Sequence, residues 1–368
     1  MVSLPKFPKI GYMVYGYANA RVHGMKGLLL NKETYLELAN LKSVVAMAEL
    51  LQKTHYKKSV LDSSAYYDGI QLIDCASGDH YSTIVKKIKK IAPNEDKPVI
   101  DALLMKWDVI NLKIVLQSRK ITSNFSEVKP KLIAVGSLDL TALESIYKVE
   151  EKELLNEIKK TQFGRDLLSQ SSKQLGSESW NRFKKAMSVT DIFSEIRVML
   201  DTYSYALMEY YLRPFIHDKY VKALYKLLSE EITTRNILII ERLKQSGIKD
   251  EKTISTYLLK GGLMDKIMIS NIVKSDNLAN LFPLIKRLFP SLKQEKVKDL
   301  VTLETELTRA RSFERIKFFH KSILSIGNLL GFILLKEEEM NNLRKLALSK
   351  EFEIAPKEVI ETLLIPGG

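Results

Sequence analysis

One spacing pattern occurs three times in this chain, and this repetition constrains the fold more than any other feature. In each copy an asparagine is followed eight residues later by a basic residue and twenty-five residues later by a glycine. An apolar helical stretch follows each asparagine, and a short apolar run precedes each glycine. The copies are Asn111, Arg119 and Gly136; Asn236, Lys244 and Gly261; and Asn342, Lys350 and Gly367. Such spacing is typical of one structural unit written several times.

The repetition predicts where the chain divides. Its 368 residues exceed the roughly 250–300 residues at which a single hydrophobic core stops growing. Division after the glycines gives 1–137, 138–262 and 263–368, each of a size typical for a domain. Glycine (16) and proline (10) are sparse, and the abundant Leu, Ile, Lys and Glu favour helices. No segment alternates apolar and polar residues as a half-buried strand does. We therefore predict an all-α protein of three similar helical domains.

Each member of the triplet has an expected structural role. The asparagine is expected to cap or turn the start of a helix, the basic residue to meet the C-terminus of that helix, and the glycine to adopt a left-handed turn. A second, compatible hypothesis is that the basic positions line a shared inner surface. Both roles need the three copies to fold alike.

Residue patterns for catalysis are weak. Cys75, Asp79 and His80 are the nearest approach to a metal or nucleophile cluster, but the second pair of a closed metal site is missing. There is no Gly-x-Ser-x-Gly elbow and no phosphate-binding loop. Glu337, Glu338 and Glu339 follow one another on a predicted helix, where consecutive carboxylates are expected to be solvated. We expect no catalytic residue, cofactor, metal or small-molecule substrate.

Composition narrows the setting of the protein. A single cysteine excludes an internal disulfide and fits a reducing compartment. The apolar stretch from Leu324 to Leu335 is shorter than the roughly 20 residues that a membrane span needs, and the N-terminus has no secretory pattern. These features predict a cytoplasmic location.

A strongly basic balance requires an explanation. The formal net charge is +13 and the isoelectric point is near 9.4, which points to an acidic partner, anionic headgroups or nucleic acid. A lysine excess is also common in heat-adapted proteins. The cluster Lys86, Lys87, Lys89 and Lys90 is either a phosphate-contacting face or the solvated side of an amphipathic helix. A basic helical-repeat protein that binds nucleic acid is therefore the alternative function.

Several segments resemble a known family, the C subunits of archaeal A-type (bacterial V-type) ATP synthases, which includes the d subunit of eukaryotic V-type ATPases. The resemblance covers nearly the whole chain, and its most specific parts are Glu339-x-x-Asn342-Leu343-Arg344 and Tyr17-x-x-x-Arg21. Arg242 matches an arginine of the family pattern, whereas Gln117 stands where the pattern has arginine. The similar segments are Tyr15–Leu30, the stretches DVINLKIVLQSRK and RNILIIERLK, and Phe332–Leu348.

The resemblance implies a fold and a role. Family members are all-helical funnels of three similar domains around a pseudo-threefold axis. One end sits on the membrane ring of proteolipid subunits, and the open end receives the central stalk. This resemblance implies a non-catalytic rotor subunit on the cytoplasmic side of the membrane, peripheral to it, whose partners are the stalk and the ring. The task that the resemblance implies for this subunit is to link ion translocation to ATP synthesis or hydrolysis by rotation.

The resemblance also directs attention to the recurring cations. We predict that the stalk contacts a cationic set that recurs in all three repeats and in the opening helix. Its members are Arg21, Arg119, Arg242, Lys244, Arg344 and Lys350.

Overall fold

The computed structural model describes residues 11–171, 192–320 and 324–365, and every regular element in this part of the chain is a helix. The predicted all-α class is confirmed. The α-helices are α1 (Gly11–Lys26), α2 (Lys32–Asn40), α3 (Val44–Leu51), α4 (Lys57–Ser64), α5 (Gly69–Ile91), α6 (Lys97–Ser118), α7 (Phe125–Val128), α8 (Leu140–Lys148), α9 (Leu154–Lys160), α10 (162–171), α11 (Ile192–Leu212), α12 (Lys219–Gln245), α13 (Glu251–Tyr257), α14 (Lys266–Lys274), α15 (Leu278–Lys286), α16 (Leu300–His320), α17 (Ile326–Glu351) and α18 (Pro356–Thr362).

Three short helices begin in the same way. Before α2, α8 and α14 stand Asn31, Asp139 and Asp265, whose side chains accept a hydrogen bond from the backbone N–H three residues later, at 2.8, 2.8 and 2.7 Å. Such caps satisfy N–H groups that a helix start leaves without a partner. The buried pairs Leu38 and Ala39, Ile146 and Tyr147, and Ile272 and Val273 follow seven and eight residues after these caps. We call α2, α8 and α14 the first helices.

Three long helices carry the repeated asparagines. Asn111 lies in α6, Asn236 in α12 and Asn342 in α17, and all three are buried. Each long helix ends within two residues of the basic member of its triplet, and a short helix, α7, α13 or α18, follows after a brief turn. We call α6, α12 and α17 the long helices.

The chain divides into two compact units. The first consists of Met1–Leu104, Asn124–Val135 and Arg315–Gly368, so it draws on both ends of the chain. Its core packs Tyr35, Met47 and Ile73 from the N-terminal helices with Leu343 and Leu346 of α17. Apolar burial of this kind is the main favourable term in folding, and here it joins residues that are about 300 positions apart in sequence.

The second unit consists of Met105–Ser123 and Gly136–Glu314. One of its cores packs Ile237 and Ile240 of α12 against Ile272 of α14, Ile285 of α15 and Leu303 of α16. The division into 1–137, 138–262 and 263–368 stays a prediction.

Candidate functional site

The residue three positions before each repeated asparagine binds the backbone just before a first helix. Asp108 accepts the N–H of Leu138 at 2.9 Å, Thr233 accepts that of Leu263 at 2.7 Å, and Glu339 accepts that of Leu30 at 2.7 Å. If the predicted ranges 1–137, 138–262 and 263–368 are numbered as repeats 1, 2 and 3, the acceptor of repeat 1 binds the backbone of repeat 2. The acceptor of repeat 2 binds repeat 3, and the acceptor of repeat 3 binds repeat 1. Each contact lies inside one compact unit. We call these contacts the three joints.

The repeated asparagines have a different task from the one expected. They lie inside the long helices rather than at helix starts, so the predicted capping role is wrong for all three. The Asn236 amide donates to the carbonyl of Leu259 at 2.9 Å and accepts its N–H at 2.8 Å. Asn342 binds Leu364 in the same way, at 2.8 and 3.1 Å. An amide carries both a donor and an acceptor, so it satisfies a whole buried peptide group.

The repeated glycines are required for two different reasons, backbone conformation at one position and space at another. Gly261 has φ +95°, a left-handed conformation that side-chain-bearing residues avoid, as expected. Gly136 does not share this conformation. A Cβ at Gly136 would collide with the Asp108 carboxylate, which also accepts the Ser137 N–H at 2.8 Å. The glycine therefore makes room for the first joint. Gly367 lies outside the described residues.

The repeated cations cap the C-termini of first helices. Arg119 donates to the carbonyl of Tyr147 at 2.6 Å, at the end of α8. Lys244 donates to the carbonyl of Ser275 at 2.6 Å, just after α14, and Lys350 donates to the carbonyl of Ala39 in α2. Carbonyl groups at a helix end lack partners within the helix and carry partial negative charge. The cations also lie at the ends of their own long helices, as predicted: Lys244 and Lys350 are in the last turn, and Arg119 directly follows α6. The contact with a first helix of the next predicted repeat was not predicted.

The third joint contains a buried ion pair. Glu339 accepts a hydrogen bond from the Tyr56 hydroxyl at 2.6 Å and pairs with the Lys336 ammonium, and both charged side chains are fully buried. Glu337 and Glu338 are buried too, so the expected solvated glutamates are wrong. The four charged residues stand on α17 where other helices cover it, and burial of a charge requires a partner of this kind.

Burial also sets the protonation of the groups around this joint. Burial, followed by the charge of Glu339, raises the pKa of the Tyr56 hydroxyl well above its usual range, so the hydroxyl stays a donor. His80 stacks near Tyr56 with ring centroids 4.2 Å apart. Burial, followed by the charge of Lys336, lowers the pKa of His80 to about 3, so this imidazole stays neutral.

Other predicted stalk contacts have varied surroundings. The Arg242 guanidinium pairs with Glu304 at 2.7 Å in an exposed position, and the Arg344 Nε lies 3.0 Å from an oxygen of Asp74. Arg21 is exposed on α1. Their role in binding a stalk stays a prediction.

The weaker sequence candidates remain weak. The thiol of Cys75 lies 3.7 Å from an oxygen of Asp79, and burial raises its pKa, which disfavours the reactive thiolate. In residues 11–171, 192–320 and 324–365 no group of three or more His, Cys, Asp or Glu side chains is arranged to hold a metal ion. Within the same ranges, no helix combines the length and the apolar character that a membrane crossing requires.

The lysine cluster of α5 has the geometry of an amphipathic helix. Lys86, Lys87 and Lys90 are exposed, whereas Lys89 is half-buried and pairs with Asp101 at 2.6 Å. Ile84, Val85 and Ile88 on the other side are buried.

Sequence reasoning missed the joints themselves. Asp108, Thr233 and Glu339 occupy one repeat position, and each offers a side-chain oxygen as a hydrogen-bond acceptor. Because the residue types differ, identity alone hides the repetition. Alignment of the chain on the three asparagines, followed by a search for shared hydrogen-bonding capacity, would have revealed it.

These contacts define a class of protein: an all-helical repeat protein in which every long helix fixes the start and the end of a first helix in the next predicted repeat. Comparison with known sequences identifies the family. The pattern of the ATP synthase (C/AC39) subunit family matches residues 18–362, so the chain belongs to this family.

Named relatives cover nearly the whole chain. The chain is 26% identical to the A-type ATP synthase C subunit of Methanococcoides burtonii, covering 95% of this chain and 94% of the relative. It is 24% identical to the C subunit of Methanosarcina barkeri, covering 97% and 94%. It is also 24% identical to that of Pyrococcus furiosus, covering 95% and 90%. The alternative of a nucleic-acid-binding protein gains no support from these similarities.

Proposed function

We propose that the chain is a non-catalytic central-rotor subunit of an A/V-type ATP synthase, which couples the membrane proteolipid ring to the central stalk. Rotation of this protein links ion translocation to ATP synthesis or hydrolysis. The observation that carries the proposal is the family match over residues 18–362, together with relatives named as C subunits of A-type ATP synthases.

The joints suit a part that transmits torque. Side-chain hydrogen bonds to backbone groups, with cations on the ends of the first helices, resist sliding of one repeat against the next. Glu339 and Lys350 extend this linkage from repeat 3 to repeat 1. We therefore propose three domains, 1–137, 138–262 and 263–368, arranged around a pseudo-threefold axis as a funnel. Such a rigid adapter would join a ring of many subunits to a single stalk.

The proposed position follows from the proposed role. The protein is peripheral, on the cytoplasmic side of the membrane, close to the headgroups, with one end on the proteolipid ring and the other on the stalk. The six recurring cations remain candidates for stalk contacts. Arg21 and Arg242 are the more accessible of them, whereas Arg119, Lys244 and Lys350 already bind backbone carbonyls.

Co-purification from native membranes tests the proposal. We expect stalk subunits and proteolipid to accompany the full chain after extraction in mild detergent, and the purified chain alone to hydrolyse no ATP. The purified chain is then mixed with purified stalk subunits to measure direct binding. Recovery without ATP synthase subunits, together with salt-sensitive binding to duplex DNA or RNA, would favour the nucleic-acid alternative.

A further inference from the structure

In the second compact unit, one lysine of α6 lies within electrostatic reach of an arginine on α11 and an arginine on α12. Lys113 of α6 forms an ion pair with Asp201 of α11, and its side chain is mostly buried. Burial, followed by the positive charges of Arg235 and Arg197, lowers the pKa of Lys113 to about 8. Arg197 and Arg235 are therefore close enough to Lys113 for their positive charges to disfavour its charged form.

A second carboxylate has several partners. Glu231 accepts a hydrogen bond from the Tyr205 hydroxyl at 3.0 Å and faces Arg235 at 3.4 Å. It also lies 3.7 Å from the Arg311 guanidinium. The Nε of Arg311 is buried and has no hydrogen-bond acceptor among the residues that the structure describes. Glu231 is therefore shared between two arginines and a tyrosine.

Lys113 therefore pairs with Asp201, Arg235 and Arg311 pair with Glu231, and Arg197 acts on Lys113 through its charge. We call Lys113, Arg197, Arg235 and Arg311 the cation cluster. Arg235 covers the ring of Tyr205, with 5.5 Å between the guanidinium carbon and the ring centroid. A guanidinium held against a ring face in this way keeps a defined orientation.

The cluster is open to approach from solvent. The side chain of Arg235 is 43% exposed and that of Asp201 is 44% exposed, and Arg197 is exposed on α11. One helical face of α12 continues from Arg235 to Arg242, whose partner Glu304 belongs to α16. An incoming side chain can therefore reach the cations without rearranging the core.

We propose that the cation cluster is the docking surface for an acidic protein segment of the central stalk, whose Asp or Glu side chains bind Arg197, Arg235 and Lys113. This inference rests on the proposed function and adds the surface and the chemistry of the partner. Arginine presents a planar pair of donors that matches a carboxylate. An added carboxylate also relieves the repulsion among the cations, so charge complementarity favours it.

The pattern of charge favours a protein over a polyanion. Asp201, Glu231 and Glu304 pair with Lys113, Arg235 and Arg242, and they would repel the closely spaced phosphates of a nucleic acid or a lipid surface. A protein segment that carries charges of both signs can match cations and carboxylates together. The partner that fits this surface is therefore an acidic segment with a few cations of its own.

The test compares binding of purified stalk subunits by the full-length chain and by two variants. Arg197→Glu/Arg235→Glu reverses two accessible members of the cluster. Lys222→Glu/Arg287→Glu is the matched control, since it makes the same charge change at exposed positions of the same compact unit. We expect the cluster variant to lose affinity by roughly tenfold or more, with slower association and a weaker salt dependence, because interfacial charges steer encounter. Unchanged circular dichroism and thermal midpoint verify folding.

Each outcome has a distinct meaning. Binding by the cluster variant with wild-type affinity and salt dependence overturns the docking surface but leaves the proposed function intact. An equal loss in the control variant also overturns it, because net charge would then explain the effect. If the wild-type chain binds none of the stalk subunits, the proposed function itself is contradicted. A selective loss of binding to duplex DNA or to phosphatidylglycerol vesicles, with stalk binding retained, identifies the surface as a polyanion site and rejects the inference.

Discussion

The joints at Thr233 and Glu339 each bind a leucine N–H at the equivalent position, but one acceptor is neutral and the other is charged. Thr233 uses a neutral hydroxyl, and the turn it holds contains Gly261 and Gly262 in left-handed conformations. Glu339 uses a carboxylate, which requires the buried Lys336 beside it. Both satisfy a leucine N–H just before a first helix. The comparison teaches that the repeat position requires a hydrogen-bond acceptor and that charge is an addition specific to the third joint.

Substitution of the two acceptors separates the contribution of the hydrogen bond to stability from that of the buried charge. We expect Glu339→Ala to lower the free energy of unfolding by about 3–5 kcal/mol, because it leaves Lys336 buried without its counter-ion. Thr233→Val, which preserves shape at the neutral joint, is expected to cost about 1–2 kcal/mol for an unsatisfied N–H. Urea denaturation followed by circular dichroism measures both. Equal losses would contradict a special role for the buried ion pair.

Glycine substitutions sharpen the contrast between the first two joints. In Gly136→Ala the new methyl group would displace the Asp108 carboxylate from its N–H donors, so we expect a loss of about 2–3 kcal/mol. In Gly261→Ala the nearest neighbour is the Ile232 side chain at 3.4 Å. The loss there is expected to be about 1–2 kcal/mol, from the left-handed backbone alone. The same denaturation measurement ranks the two variants, and a larger loss for Gly261→Ala would reverse this interpretation.

Acid should affect the charged joint more than the neutral one. The pKa of His80 is about 3 in the folded protein and near 6.5 in the unfolded chain. The unfolded chain therefore binds the extra proton between these values, and stability falls as the pH drops below 6.5. The expected slope from this group is up to roughly 1.4 kcal/mol per pH unit. Comparison of wild type with His80→Phe between pH 5 and 7 measures it, and identical slopes would exclude His80 as the cause.

The cationic caps give the smallest expected effects. Arg119→Ala, Lys244→Ala and Lys350→Ala should each cost about 1 kcal/mol, because a cation at a helix C-terminus stabilises exposed carbonyl groups. Amide hydrogen exchange should increase in the last turn of α8, α14 and α2, respectively. Lys86→Ala, at an exposed position of α5 before its last turn, is the control and should change stability by less than about 0.5 kcal/mol. Equal exchange in every variant would contradict capping between repeats.

Much of the fold was predictable from local patterns. The apolar spacing predicted long helices over Lys97–Lys120 and Lys219–Lys244, close to the observed Lys97–Ser118 and Lys219–Gln245, since a buried face repeats with the helical period. The start of α5 was not predictable in this way. The sequence pattern predicted a helix from Asp79 to Ile91, whereas α5 begins ten residues earlier, at Gly69, because Leu72, Ile73 and Ala76 pack into a core that the N-terminal helices and α17 share.

The site was predictable in part. The recurrence of the cations was visible in the chain, and their position at the ends of their own long helices followed from the helix dipole. Which helix each cation reaches was not visible, since Lys350 meets Ala39 at a separation of 311 residues. The cation cluster was equally hidden, because separate helices supply its members.

By itself, the sequence determined the all-helical class, the threefold repetition and the family to which the chain belongs. These depend on residue spacing within one repeat, which the regular geometry of a helix translates directly into buried faces. Only the tertiary structure decided that Asp108, Thr233 and Glu339 do one task, and that Glu337, Glu338 and Glu339 are buried. Hydrogen bonds between distant segments depend on which backbone groups packing brings within about 3 Å, and no local pattern carries that information.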